Sequence, residues 1–206
     1  MFLAGRSESQ IQIVQQVNQL IPDGSPTGLA STINVSGQAF SIADIKVDLD
    51  ITGTYNGDLY AYLVHGNGFA VLLNRVGATS SNVYGYGGSG LNVTFMDSAA
   101  NGNIHYYQNV TTPAPGNQLN GLWAPDGRTV SPYAATGTQA PTASLSSFDS
   151  LTVDGDWTLF VADVSSGSLN YFTSWGLEIQ PVPEPSSFGL SAVSLVFAQL
   201  MCRRRK

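Results

Sequence analysis

From Ile45 to Ile51 the apolar side chains Ile45, Val47, Leu49 and Ile51 alternate with Asp44, Lys46, Asp48, Asp50 and Thr52, the period-two pattern of a strand with one wet face. Such a strand must bury its apolar face against a second layer, so this stretch commits the chain to a packed sheet. After it, Gly53-Thr54-Tyr55-Asn56-Gly57 supplies residues that tolerate positive φ in a tight connection, and Asp58 to Val64 begins a second strand. The two strands and their turn are expected to seed an antiparallel sheet.

Further strands follow the same signals. Ile33 and Val35 begin one that ends at Gly37, Phe69 to Asn74 pairs with the Asp58 strand through His65-Gly66-Asn67-Gly68, and Leu91, Val93 and Phe95 alternate up to Asp97. Trp157 to Val164 places Trp157, Leu159 and Val161 on one face; Leu169 to Ile179 places Tyr171, Thr173, Trp175, Leu177 and Ile179 on one face. Ile11, Ile13, Val14, Val17 and Leu20 fit a short amphipathic helix or a strand, and the alternation at Ile11 and Ile13 tips the choice to strand. Gly77 to Gly90, rich in Gly and Ser with two tyrosines, reads as an exposed loop. Val110 to Ala143 is long for a connection without structure of its own, and is either functional or held down by Trp123. With 43% hydrophobic residues, 22 Gly, 10 Pro and only 11% charged residues over 206 positions, the chain favours many turns over long helices. Eight to ten short strands spaced in this way give an all-β sandwich.

Strand, Tyr55-Asn56-Gly57-Asp58-Leu59, strand, then Gly68-Phe69-Ala70-Val71-Leu72-Leu73-Asn74-Arg75 resembles the P domain (P/Homo B domain) that follows the catalytic domain of subtilisin-like proprotein convertases. Ile21-Pro22-Asp23-Gly24, Phe95-Met96-Asp97-Ser98, Gly121-Leu122-Trp123-Ala124-Pro125-Asp126-Gly127, Gly155-Asp156-Trp157-Thr158-Leu159 and Trp175-Gly176-Leu177-Glu178-Ile179 continue the likeness in the family's order. The resemblance implies a jelly-roll antiparallel β-sandwich over residues 21–180. It also implies a non-catalytic role, because the P domain is the protease's neighbour; an accessory module of a subtilisin-like serine endopeptidase is the alternative it keeps open.

Beyond the domain, Pro181-Val182-Pro183-Glu184-Pro185-Ser186-Ser187 suits neither helix nor sheet, Phe188 to Cys202 is almost wholly apolar, and Arg203-Arg204-Arg205-Lys206 closes the sequence. The apolar run is short against the ~20 residues of a full bilayer span, and the basic end favours the cytoplasmic side. The arrangement resembles the PEP-CTERM sorting signal of Gram-negative bacteria, in which an exosortase cleaves near the motif after the protein has reached the inner membrane. On that resemblance Pro183, Glu184, Pro185, Arg203, Arg204 and Arg205 are the sorting residues, 181–187 is a linker, 188–206 a transmembrane helix with a basic tail, and the destination is the cell surface or extracellular matrix. Residues 1–10 lack the basic start and apolar run of a secretory leader, so with export implied, 1–20 is expected to be a truncated N-terminal segment.

The chemistry readable from the residues is narrow. Only His65 and His105 could serve as imidazole bases, neither stands in a nucleophile motif, and three Glu make a glycosidase pair poorly supported. Two His and the single Cys202 exclude a zinc site of recognisable spacing and any internal disulfide. Up to Gln180 four basic residues face thirteen acidic ones, about −9, a surface that repels nucleic acid. Calcium suits such residues better, because it takes six to eight hard oxygens from side chains and loop carbonyls. Asp58, Asp97 and Asp163, all at strand ends, are the candidate ligands, with the Asp154-Gly155-Asp156 turn nearby in kind; an Asp at a strand end can equally cap a turn. Tyr84, Tyr86, Tyr106, Tyr107, Trp123 and Tyr133 lie in or beside loops and would offer stacking faces to an extracellular polysaccharide. The expected function is a non-enzymatic surface or matrix component, with a carbohydrate-binding module as a further alternative.

Overall fold

The computed structural model describes residues 10–38 and 40–183. Among them nine strands form: β1 (Ile11–Leu20), β2 (Ser25–Val35), β3 (Ile42–Thr52), β4 (Leu59–His65), β5 (Gly68–Asn74), β6 (Gly90–Phe95), β7 (Leu119–Trp123), β8 (Gly155–Asp163) and β9 (Tyr171–Pro181). They make a five-stranded sheet in the order β1-β9-β3-β6-β7 and a four-stranded sheet in the order β2-β8-β4-β5. The apolar face of each sheet turns toward the other: Ile45, Val47, Leu49 and Ile51 of β3 are buried, as are Leu59, Ala61 and Leu63 of β4 and Trp157, Leu159 and Val161 of β8. The result is the β-sandwich that the alternation implies.

The seed, however, is not a hairpin. β3 pairs with β6 and β9, β4 pairs with β5 and β8, and the connection between them crosses from one sheet to the other. Two strands with one apolar face each bury it more fully across a core than side by side, and the short turn Asn56–Asp58 makes the step. The glycines of this connection serve close approach. A Cβ on Gly53 would collide with Asn170 Oδ1, and one on Gly57 with the Tyr84 carbonyl oxygen. Neither has the positive φ that the sequence suggested.

Two other expectations change. The sandwich is not antiparallel throughout, because β7 runs parallel to β6, Leu91 to Phe95 opposite Leu119 to Trp123. That strand lies inside the Val110–Ala143 segment and ends in fully buried Trp123, so the segment is stapled as well as partly regular. In β9 the inward face does not include Tyr171 or Thr173. β3 pairs Asp50 with Ser174 and Ile51 with Phe172, leaving Thr173 as an extra residue; this bulge turns Phe172 into the core and leaves Tyr171 exposed. Residues 11–20 are the strand, not the helix, antiparallel to β9. The Gly77–Gly90 loop is exposed at Val83 and Tyr84, while its base is fixed by the Tyr86 N–H donating to the Val76 carbonyl (2.9 Å). The expected apolar helix over 188–202 lies outside the described residues; among the described ones no helix is long and apolar enough to cross a membrane.

Trp175 joins the two sheets at the β9 end. Its ring is 1% exposed and its Nε1 donates to Ser31 Oγ of β2 at 2.9 Å. Trp175→Ala is expected to lower the unfolding free energy by about 3–5 kcal/mol, read by urea titration with unchanged m-value, through the cavity left between the sheets.

Candidate functional site

Two carboxylates meet at one end of the four-stranded sheet. Asp58 closes the Asn56–Asp58 turn just before β4, Asp163 is the last residue of β8, and the antiparallel pairing sets Leu59 opposite Asp163. Asn56 fixes the turn from behind: its Oδ1 accepts from the Gly90 N–H at 3.0 Å, and its Nδ2 donates to the Tyr107 hydroxyl at 3.2 Å. Both acids are buried, Asp58 at 4% and Asp163 at 0% exposure. Asp163 accepts from Asn170 Nδ2 (2.7 Å) and weakly from the Ser165 N–H (3.4 Å). Burial first, and then the neighbouring Asp163 charge, push the Asp58 carboxyl up to about 6, against the pull of Arg75 and Ser165. Burial also raises Asp163, opposed by its bonds from Asn170 and Ser165. Arg75 does not neutralise the pair by contact, since its Nε donates to the Gly57 carbonyl (3.1 Å).

Asp97 is not part of this cluster. Its two oxygens accept from the Leu145 and Ser146 N–H groups (3.0 and 2.8 Å), so it caps the turn Leu145–Phe148. Asp154 does the same for the Gly37 and Gln38 N–H groups, and Asp156 accepts from Asn34 Nδ2. The expected three-carboxylate calcium set therefore does not assemble, and among the described residues no group of three or more His, Cys, Asp or Glu is placed to hold a metal ion. Two of its members do meet, and two carboxylates are few for a cation that wants six to eight oxygens.

A second cluster has no motif that announces it. His105, Asp126 and Arg128 are all buried: His105 Nδ1 lies 2.7 Å from Asp126 Oδ2, and Arg128 Nη1 donates to Asp126 Oδ1 at 2.9 Å. The other His105 nitrogen faces the Ala78 carbonyl (3.0 Å), and the Arg128 guanidinium donates to the Gly137 carbonyl from Nε and Nη2 (3.2 and 3.0 Å). A His–Asp pair invites comparison with a catalytic dyad, but each ring nitrogen is already met by an acceptor and no hydroxyl or thiol stands at either. Its work is to tie the 124–137 loop to the Ile104–Asn109 turn after β6 and, through His105, to Ala78 in the loop before that strand. His65 is held likewise, between the Asp156 and Thr152 carbonyls (3.0 and 2.7 Å), stacked on Trp157 with ring centroids 3.9 Å apart.

The aromatic residues divide sharply. Tyr107 and Trp123 are core residues in edge contact, and Tyr86 and Tyr106 are half-buried, with the Tyr106 hydroxyl spent on the Gly137 carbonyl. Only Tyr84 and Tyr133 of the expected set are largely exposed, at 65% and 61%. The continuous stacking platform does not form. Pro183 is exposed just beyond β9; Glu184, Pro185, Arg203, Arg204 and Arg205 lie outside the described residues.

Residues 181–206 match the model of the PEP-CTERM protein-sorting motif. The motif marks the chain as exported, anchored in the membrane before processing, and sorted by an exosortase-type enzyme. No curated protein matches the chain. Among solved structures it is similar to the serine protease of Aeromonas sobria in complex with the chaperone ORF2, at 15% identity and a TM-score of 0.44, covering 84% of this chain and 27% of that one. It is similar also to the serine protease of Aeromonas sobria by itself, at 14% identity and a TM-score of 0.43, covering 85% and 28%. The chain thus spans little more than a quarter of the solved proteins it matches.

Two stability measurements test the clusters. Because the folded Asp58 carboxyl holds its proton up to about 6 while an unfolded Asp releases it near 3.8, the folded state binds more protons between those values. Stability from this group is then full below the lower value and lost as pH rises through the interval. Asp58→Asn should flatten that slope relative to wild type and raise the melting temperature at pH 7 by roughly 2–4 °C, on the order of 1 kcal/mol after solvent screening. Asp126→Ala should cost about 3–5 kcal/mol in urea unfolding, because it leaves the buried Arg128 without its carboxylate.

Proposed function

We propose that this chain is a non-catalytic component of the cell surface or extracellular matrix, a P-like jelly roll that begins with β1 rather than at residue 21 and is delivered outside by its C-terminal signal. The observation that carries the reading is the junction. β9 ends at Pro181, the residue at which the sorting motif begins, and the Val182 N–H still donates to the Ser41 carbonyl at 2.9 Å. The Pro-Glu-Pro segment therefore starts at the rim of the sheet, and cleavage there would remove the tail without removing a strand. The non-catalytic part is supported by the two histidines, each held with its ring nitrogens 2.7–3.0 Å from carbonyl or carboxylate oxygens of the fold rather than beside a nucleophile.

The signal can be tested without disturbing the sandwich. Replacing Pro183, Glu184 and Pro185 together by alanine should abolish processing in an exosortase-positive host, leaving full-length protein in the inner membrane. Release into the medium at the wild-type level would overturn the reading.

A further inference from the structure

Four strands end the two sheets, β1 and β7 in one and β2 and β5 in the other. An open edge presents a row of unpaired N–H and C=O groups, which proteins normally cover, shorten, kink or charge. β5 is covered: the Val71 N–H donates to the Ala143 carbonyl (3.1 Å), and the Val71 and Leu72 carbonyls accept from Gly127 and Asp126 (2.9 and 3.1 Å). β7 is five residues long, with Gly121 at φ 106. β2 opens with Pro26 and Gly28 and slips register against β8 between Ser25 and Leu29. Among the described residues β1 has none of these devices from Ile11 to Gln16 beyond the Gln15 Nε2 that donates to the Gln16 carbonyl (2.9 Å), and its register with β9 is unbroken there; the irregularity comes only beyond, at Asn18 with φ 53.

Charge singles out the same place. No Asp, Glu, Lys or Arg lies between Glu8 and Asp23, and none between Asp23 and Asp44, so β1 and β2 are both uncharged. The two lie on one side of the sandwich, because β9, the neighbour of β1, bonds β2 through Trp175 and Ser31. In a chain of net charge −6, a second copy that pairs with one of these edge strands meets no like charge on the strand itself. Gln12, Val14 and Gln16 share the outer face of β1 and are exposed, Val14 at 57%. An antiparallel copy centred on Val14 would set Gln12 against Gln16 of its partner on both sides of the two-fold axis, and an amide both donates and accepts.

We propose that β1 pairs antiparallel with β1 of a second copy, centred on Val14, so that two five-stranded sheets become one continuous sheet across a two-fold axis. This goes beyond the sorting reading and does not rest on it. The same edge could instead take a strand of another protein or another segment of this chain, and either would leave the purified chain monomeric.

The test uses the full chain with Cys202→Ser, in detergent with micelles in large excess over protein, so that chains do not share a micelle. Sedimentation should show a dimer that Val14→Lys dissociates by at least about tenfold in Kd, since it sets two lysines face to face. Val83→Lys, at an equally exposed valine in the loop after β5, should leave the dimer intact. Val14→Cys should form a disulfide-linked dimer on mild oxidation, whereas Val83→Cys should not. Cross-linking introduces no charge, so it decides the matter even if the lysine disturbs β1. A monomer at every concentration reached, or equal cross-linking at the two positions, would overturn the proposal.

Discussion

Everything in this fold depends on apolar contact between the inner faces of two sheets. The one cysteine stands at position 202, so no disulfide can constrain the residues before it, and the core must supply the stability alone. Three tryptophans, Trp123, Trp157 and Trp175, are each buried where an irregular segment or an edge strand has to be held. Each also finds a partner for its N–H, on Asn120 O, Val153 O and Ser31 Oγ respectively, so the largest apolar groups are placed without an unmet donor. Because β9 and β3 sit inside the five-stranded sheet, their side chains see the core along nearly their whole length, and the loops are arranged around what these two strands fix.

Polar groups were then accommodated at the ends of strands in two different ways. Asp97 and Asp154 give both oxygens to backbone N–H groups, and His105, Asp126 and Arg128 satisfy one another and nearby carbonyls. These are complete networks, and they stiffen long connections that would otherwise be costly to order. The Asp58–Asp163 pair is different. Burial and then the Asp163 charge raise the Asp58 carboxyl's affinity for protons, burial raises that of Asp163, and Asn170, which donates to Asp163, keeps its Oδ1 buried without a partner against Gly53. That end of the sheet is held together at an electrostatic cost that the rest of the fold has to offset.

How much of this could be read from the sequence follows from the range of the interactions. β3, β8 and the β4–β5 hairpin were legible because a period-two pattern and a Gly-Asn turn are local facts. The step of the chain from one sheet to the other after β3 was not, because pairing depends on which strand offers the better apolar partner. The bulge at Thr173 arises from the register of β9 on β3, and the parallel strand β7 from its docking beside β6; neither leaves a mark in its own residues. Among the acids, Asp58 and Asp163 could be picked out as strand-end carboxylates, but that Asp97 is committed to the turn at Leu145 is set by residues nearly fifty positions away. The His105–Asp126–Arg128 cluster was missed for the same reason, and Asp126 and Arg128, two residues apart in a loop, were its only local trace.

The topology also sets the order in which sorting and assembly could occur. β1 is antiparallel to β9 with Ile11 opposite Ile179, so the start of β1 lies beside the point where the sorting tail leaves the sheet. A two-fold axis through Val14 would carry the Ile11 end of one copy to the far end of the other's strand, and the two tails would leave the shared sheet in opposite directions along it. Two chains whose tails are anchored in the same membrane need those tails to leave in the same direction. In the proposed dimer the two tail exits lie at opposite ends of the paired strands, so cutting the tail at the Pro-Glu-Pro segment would remove a constraint on edge pairing. An unguarded, uncharged edge is a hazard for a protein at high concentration in a cell. The proposed self-pairing of β1 would cover that edge with the one partner whose strand it matches residue for residue.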